Sequence, residues 1–213
     1  VPLYAYDVID DVDLNCDNQI PKRAGRQGFW FAFNDGSGGT QVPGPGDSFQ
    51  ATVRPDAPGD CAVRVVGEGF SAWGFAVSLY LKHDGASRAY DASAFLGVSF
   101  WGRVGDGSAQ GGSGEEPPSQ AQVRVAVPDV GSVAQGEICA GATCNDHFGR
   151  TLLLSETWEH HHVSFAELTR RGWGPPDLEL AIAALYEVQF ITGTPGAVPV
   201  ELWIDDVAFY REP

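Results

Sequence analysis

Two tryptophans and a scatter of planar polar residues are the first candidates for chemistry in this chain. Sugar rings present flat apolar faces that stack on aromatic side chains, and their hydroxyls seek partners such as Arg, Asp, Asn, Gln and His. In Phe29-Trp30-Phe31-Ala32-Phe33-Asn34, period-two alternation places Trp30 and Asn34 on the face opposite the three phenylalanines. It likewise groups Trp101 with Ser99 and Arg103, opposite Val98 and Phe100, and puts Arg124, Glu187 and Gln189 on the non-core faces of their strands. If these strands share a sheet, that sheet is a glycan surface. Trp30 and Trp101 would stack on rings, while Arg103, Arg124, Gln189 and His147 hydrogen-bond hydroxyls. The competing reading buries each tryptophan beneath loops. Asn145-Asp146-His147 follows a short Cys139–Cys144 loop that would rigidify it for binding, although Asn and Asp also cap turns through their own backbone.

A second constellation lies near the chain ends. Asp10, Asp11 and Asp13 come early and Asp205 and Asp206 late, and calcium takes six to eight oxygens from carboxylates and carbonyls. Antiparallel terminal strands would bring the two groups together. Asp205 shares its alternating face with Trp203, Val207 and Phe209, which suggests an inward carboxylate in need of a cation, and Asp206 takes that place if a bulge intervenes. The alternative is a solvated acidic rim. In His160-His161-His162, the outer two would share a strand face, but no third ligand is identifiable and the run reads as an ordinary surface strand. Catalysis has weaker support. Glu187, Asp35, Asp146 and Glu156 are available, yet no strand carries the paired carboxylates of a glycosidase. There is no Gly-x-Ser-x-Gly, His-Glu-x-x-His or phosphate loop.

The elements that must position these groups are strands. Val63 and Val65 alternate with Arg64; Val123, Val125 and Val127 with Arg124 and Ala126; Tyr186, Val188 and Phe190 with Glu187 and Gln189; Leu202 and Ile204 with Trp203 and Asp205. Loops rich in Gly, Ser, Pro and Asp separate them, and 105–119 has the composition of a flexible loop. Helix is confined to short pieces at Ser164–Arg171, where Ser164 and Glu167 suggest a capping box, and at Leu178–Leu185. Many short strands without an internal repeat predict one all-β domain over 1–213, a two-sheet antiparallel β-sandwich.

Charge narrows the partners. The 28 acidic residues outnumber 13 basic ones, for a net charge of −15. That disfavours nucleic acid and anionic membrane, which both call for a basic footprint. No apolar run is long enough to span a bilayer. No signal peptide opens the chain at Val1, so it reads as a mature or trimmed product. Four cysteines without a Cys-x-x-C favour disulfides over a metal site, pairing Cys139 with Cys144 and leaving Cys16 with Cys61; disulfides imply export.

Several segments together resemble a known family. Val8-Ile9-Asp10-Asp11-Val12-Asp13, Gly25-Arg26-Gln27-Gly28-Phe29-Trp30 and Phe33-Asn34-Asp35-Gly36 are similar to the opening of jelly-roll carbohydrate-binding modules of family 11 and of galactose-binding-like domains in secreted bacterial proteins. Tyr90–Trp101 resembles their strand entry, Leu202–Phe209 their closing strand, and Asn145–Gly149 and Gly172-Trp173-Gly174 a subgroup of surface domains. The resemblance spans nearly the whole chain. It implies a jelly roll, structural calcium and recognition of a β-glucan or similar polysaccharide. The expectation is a secreted or cell-surface monomer that binds polysaccharide without catalysis. A glycoside hydrolase or lyase on the same scaffold comes second, and a structural or adhesion domain without a sugar site third.

Overall fold

A computed structural model describes residues 3–13, 16–105, 119–193 and 199–213. The flexible loop expected at 105–119 lies outside them except for its two end residues. The described residues form twelve strands: β1 (Ala5–Asp10), β2 (Trp30–Asn34), β3 (Thr40–Val42), β4 (Thr52–Val53), β5 (Cys61–Glu68), β6 (Phe75–Tyr80), β7 (Gly97–Val104), β8 (Gln120–Val127), β9 (Phe148–Ser155), β10 (Glu159–Ser164), β11 (Glu187–Thr192) and β12 (Val200–Arg211). One sheet runs β10-β7-β12-β5-β3, with β1 paired to β12 and β4 to β5; the other runs β2-β6-β11-β8-β9. All the strand pairings are antiparallel. This is the expected two-sheet sandwich.

The helical expectations shrink to single 3-10 turns at Phe165–Glu167 and Ile182–Ala184. Ser164 does cap the first, its Oγ accepting from Ala166 N at 3.3 Å. Both predicted disulfides are present, Cys16–Cys61 and Cys139–Cys144.

The core is what alternation requires between two sheets. Val77, Leu79, Val123, Val125, Val188 and Phe190 face Val63, Val65, Val98, Phe100, Leu202, Ile204 and Phe209. Strand β2 reverses the sequence expectation. Trp30 has no exposed surface and stacks on Phe190 with ring centroids 6.1 Å apart. Its Nε1 donates to Asp10 Oδ2 at 2.7 Å, a bond that crosses from one sheet to the other. Phe31 and Phe33 therefore face outward. Each face of β2 carries an aromatic residue, so alternation could pair residues by face but could not say which face was core. Trp30 won because its indole N–H has a buried acceptor waiting.

Asn34 lies on the same side as Trp30 and ties down the following turn: its Nδ2 donates to Gln41 Oε1 at 3.0 Å and its Oδ1 accepts from Gly36 N at 3.0 Å. Trp101 and Arg103 do face outward, but on β7 of the seven-stranded sheet. The surface expected to combine Trp30, Asn34, Trp101 and Arg103 with Arg124, Glu187 and Gln189 is therefore split among the core and two opposite faces.

As a core aromatic, Trp30 is expected to cost about 3–5 kcal/mol of unfolding free energy when changed to Ala. Urea denaturation reads this directly, and a loss below about 1 kcal/mol would show that the ring is not a core element.

Candidate functional site

The outward face of the five-stranded sheet carries a groove of about 650 Å³. Its shape follows from strand register. One row across the sheet reads Phe31, Ser78, Gln189, Ala126, Gly149, and the next reads Phe33, Ala76, Ile191, Arg124, Thr151. Ser78, Ala76, Ala126 and Gly149 are small, so the middle of the face is low. A Cβ on Gly149 would come within 2.9 Å of Arg124 Nε, so glycine there lets the arginine lie across the strand. Arg124 Nη2 then donates to the carbonyls of Thr169 and His147, at 2.5 and 3.2 Å.

One wall is aromatic. Phe31 stacks on Tyr80 with centroids 4.5 Å apart, Phe29 meets the edge of Tyr80 at 5.2 Å, and Phe33 packs against Trp73 at 5.7 Å. The opposite wall comes from two loops bearing Asn145, His147, Arg171 and Trp173, the last 47% exposed. Asp146 joins these loops but does not line the groove. Buried, its carboxylate accepts from the backbone N–H of Arg171, Gly172 and Gly174 at 2.8, 2.9 and 2.9 Å. Burial alone would raise its pKa, but those three donors outweigh burial and hold the carboxyl below its ordinary value. Trp173 Nε1 also donates to the Cys144 carbonyl at 3.4 Å, next to the Cys139–Cys144 disulfide.

The polar floor is held in place before any ligand arrives. Glu187 Oε2 accepts from Ser78 Oγ at 2.7 Å and from Gln189 Nε2 at 2.8 Å. Desolvation pushes the Glu187 carboxyl up in spite of both bonds. His147 Nδ1 lies 2.8 Å from Ser132 Oγ, and burial depresses the imidazole to about 4 although Asp129 and Asp146 act the other way. The ring is neutral at physiological pH, able to donate or accept.

Of the residues proposed from sequence, Arg124, Asn145, His147, Glu187 and Gln189 meet in this groove. Trp30, Asn34, Trp101, Arg103 and Asp146 do not line it. Phe31, Phe33, Tyr80, Trp73, Arg171 and Trp173 line it but were not among the site candidates. The alternation of Phe29, Phe31 and Phe33 was the available signal for the aromatic wall. Trp73, Arg171 and Trp173 stand on loops, where periodicity carries no information.

The acidic chain ends do meet, because β1 pairs with β12 and Asp10 lies opposite Val207. A bulge opposite β7, with Asp206 at φ 49°, turns Val207 inward while Asp205 stays on the outer face under Arg54. Asp10 accepts from Trp30 Nε1 and, at 3.1 Å, from Val12 N; burial raises its pKa to about 6. Burial, reinforced by the neighbouring Asp206 carboxylate, takes Asp205 to about 7. Arg54 answers it with Nη1 3.1 Å from Asp205 and 2.8 Å from Asp60, and Nη2 2.9 Å from Asp56. Among the described residues, no three His, Cys, Asp or Glu side chains converge as a metal-holding set. The oxygens of Asp10 and Asp205 serve Trp30, Val12 and Arg54, so this pair does not fit a calcium ion as it stands.

Neither a protein-family model nor a curated protein sequence matches this chain. Solved structures do. The family 11 carbohydrate-binding module of the cellulosomal cellulase Lic26A-Cel5E of Clostridium thermocellum superposes with a TM-score of 0.57 at 15% identity, covering 97% of this chain and 95% of that one. A family 11 module from the same organism, in complex with a β-1,3-1,4-mixed-linked tetrasaccharide, gives 0.55 at 15% identity over 90% and 94%. A family 30 carbohydrate-binding module gives 0.50 at 12% identity over 86% and 92%. The fold is thus the jelly roll of carbohydrate-binding modules. At these identities the likeness is one of architecture.

The buried imidazole makes a testable pH signature. Unfolded, His147 would protonate near 6.5, but folded it resists until about 4. Between those values the unfolded chain binds more protons, so this residue's contribution is complete above about 6.5 and erodes as pH falls through the window, by on the order of 3 kcal/mol. The imidazole resonance of His147 should titrate near 4 by NMR, and His147→Gln should lose less stability than the parent between pH 6.5 and 4.

Proposed function

We propose that this protein binds polysaccharide non-catalytically in the groove of the five-stranded sheet, with a β-glucan-like chain as ligand. One observation carries the reading. The Phe31–Phe33–Tyr80–Trp73 wall faces Asn145, His147, Arg171 and Trp173 across a floor that holds Arg124, Glu187 and Gln189 among small residues. Stacking surfaces and planar hydrogen-bonding groups at opposite sides of one channel are what a pyranose chain requires. The similar family 11 structure complexed with a mixed-linked tetrasaccharide supports the choice of ligand class.

Non-catalytic binding is favoured by the acid inventory. Hydrolysis of a glycosidic bond uses two carboxyl groups about 5 to 9.5 Å apart. Glu187 is the one acidic residue among those lining the groove, and it is engaged by Ser78 and Gln189. The two disulfides support an oxidising, extracellular setting for such a module. Structural calcium belongs to this proposal through Asp11 and Asp206, one from each of the two acidic groups, with backbone carbonyls and water as its other ligands, since among the described residues no three acidic side chains converge. Burial raises the Asp206 carboxyl, and the nearby Asp13 and Asp11 carboxylates add to the effect.

Calorimetry against mixed-linkage β-glucan, xylan, mannan and a polyuronate tests the reading. Binding to a neutral β-glucan is expected, with about tenfold weaker affinity in Phe31→Ala and in Trp173→Ala and little change in melting temperature. Trp101→Ala, on the opposite sheet, should bind like the parent. No binding to any polymer would overturn the proposal, and new reducing ends on incubation would convert it to a hydrolase. The calcium element is checked separately: melting temperature should rise in calcium relative to a chelator, and equal values would remove it.

A further inference from the structure

The opposite, seven-stranded sheet presents a second cluster that the groove does not use. His160 and His162 share the outward face of β10, directly across from Trp101 and Ser99 of β7. The row through His162 continues with Ser99, Ala208 and Val8 over β7, β12 and β1. Because Ser99 and Ala208 are small, Tyr6 can lean across from β1, and its Oη lies 2.8 Å from His162 Nε2. On the other side Trp101 stacks on His160, centroids 5.2 Å apart and planes within 9°. Both imidazoles are thus held from the side while the patch stays open: Tyr6 is 45% exposed and Trp101 38%.

Their spacing is informative. An imidazole nitrogen binds a first-row metal at about 2.0–2.1 Å, which puts the ring centroid roughly 3.2 Å from the ion. Two imidazoles at a right angle then have centroids roughly 4.5 Å apart, and at a tetrahedral angle roughly 5.2 Å. The His160 and His162 centroids are 4.5 Å apart. Two cis ligand atoms on such an ion would stand about 2.9 Å apart, close to the 2.8 Å between Tyr6 Oη and His162 Nε2. Ser99 adds an independent sign. Its Oγ is fully buried on this face beside His162 and has no hydrogen-bond partner among the described residues.

We propose that His160 and His162 form a two-histidine site for a divalent transition-metal ion, copper(II) foremost. Neutral imidazole suits copper, nickel and zinc, but a right-angle bite matches tetragonal copper(II), which also tops the affinity series. Zinc prefers a tetrahedral set of three or four protein ligands. Among the described residues no third His, Cys, Asp or Glu completes such a set. The remaining positions therefore fall to water and the Tyr6 phenol, and the ion is exchangeable.

Titration of the whole chain with copper(II) sulfate at neutral pH, followed by calorimetry and electron paramagnetic resonance, decides the matter. One equivalent should bind, with hyperfine structure from two imidazole nitrogens, and zinc should bind at least about tenfold more weakly. His160→Asn should weaken copper binding about tenfold or more, the double change with His162→Asn should abolish it, and His83→Asn should leave it unaltered. Absence of a one-equivalent site, or equal affinity in the double variant, overturns the proposal. If the double variant does not fold, His160→Asn decides, since it leaves the Tyr6–His162 contact in place.

Discussion

The hydrogen bond from Trp30 to Asp10, sealed between the sheets, governs more than its own energy. It joins β2 of one sheet to the end of β1 in the other, and by doing so commits the face of β2. A strand has two sides and no intermediate setting. Once the indole is inside, Phe31 and Phe33 must stand on the outer surface, where Tyr80 and Trp73 meet them. The aromatic wall of the groove is therefore the reverse side of a core decision. Burial raises the Asp10 carboxyl to about 6, and Trp30 and Val12 N–H supply the donors that make a carboxyl tolerable there.

The facing wall is secured by different means. No strand alternation places Trp173 or Asn145; a buried carboxylate does. Asp146 gathers three backbone N–H groups from the 171–174 loop, and the Cys139–Cys144 bridge sits just upstream on the same segment. Asn145 itself adopts φ 68°, a left-handed conformation that Asn tolerates better than most residues, and its N–H is held by the Ser132 carbonyl at 2.8 Å. A rigid strand wall and a loop wall pinned by one anion leave little for a ligand to order on arrival, which spares the entropy of binding.

The sandwich was legible in the sequence because its signal is local. Every alternating run read from the sequence, at Phe29–Asn34, Val63–Val65, Val123–Val127, Tyr186–Phe190 and Leu202–Asp205, lies largely or wholly in a strand. What alternation left open was direction and neighbourhood. At β2 both faces carried aromatics, so the core side was decided by a partner twenty residues upstream. At β7 the outward side of Trp101 was read correctly, yet its strand joined the other sheet, a matter of long-range pairing. The row of small residues that hollows the groove exists only after five strands are set in register. Asp146 was read as a ligand-facing group because the sequence cannot show that a loop twenty-five residues later turns its amides toward it.

Strand β12 gives the molecule a particular order of assembly. It is paired with β7 on one side and with β5 and then β1 on the other, so one segment late in the chain joins the first strand to the middle of its sheet. During synthesis, β5 and β7 emerge well before the strand that will separate them. Until Val200–Arg211 arrives, their edges carry unpaired backbone groups, and the core side chains of that sheet have no completed layer beneath them. The seven-stranded sheet is continuous only once β12 has joined β7 to β5 and β1.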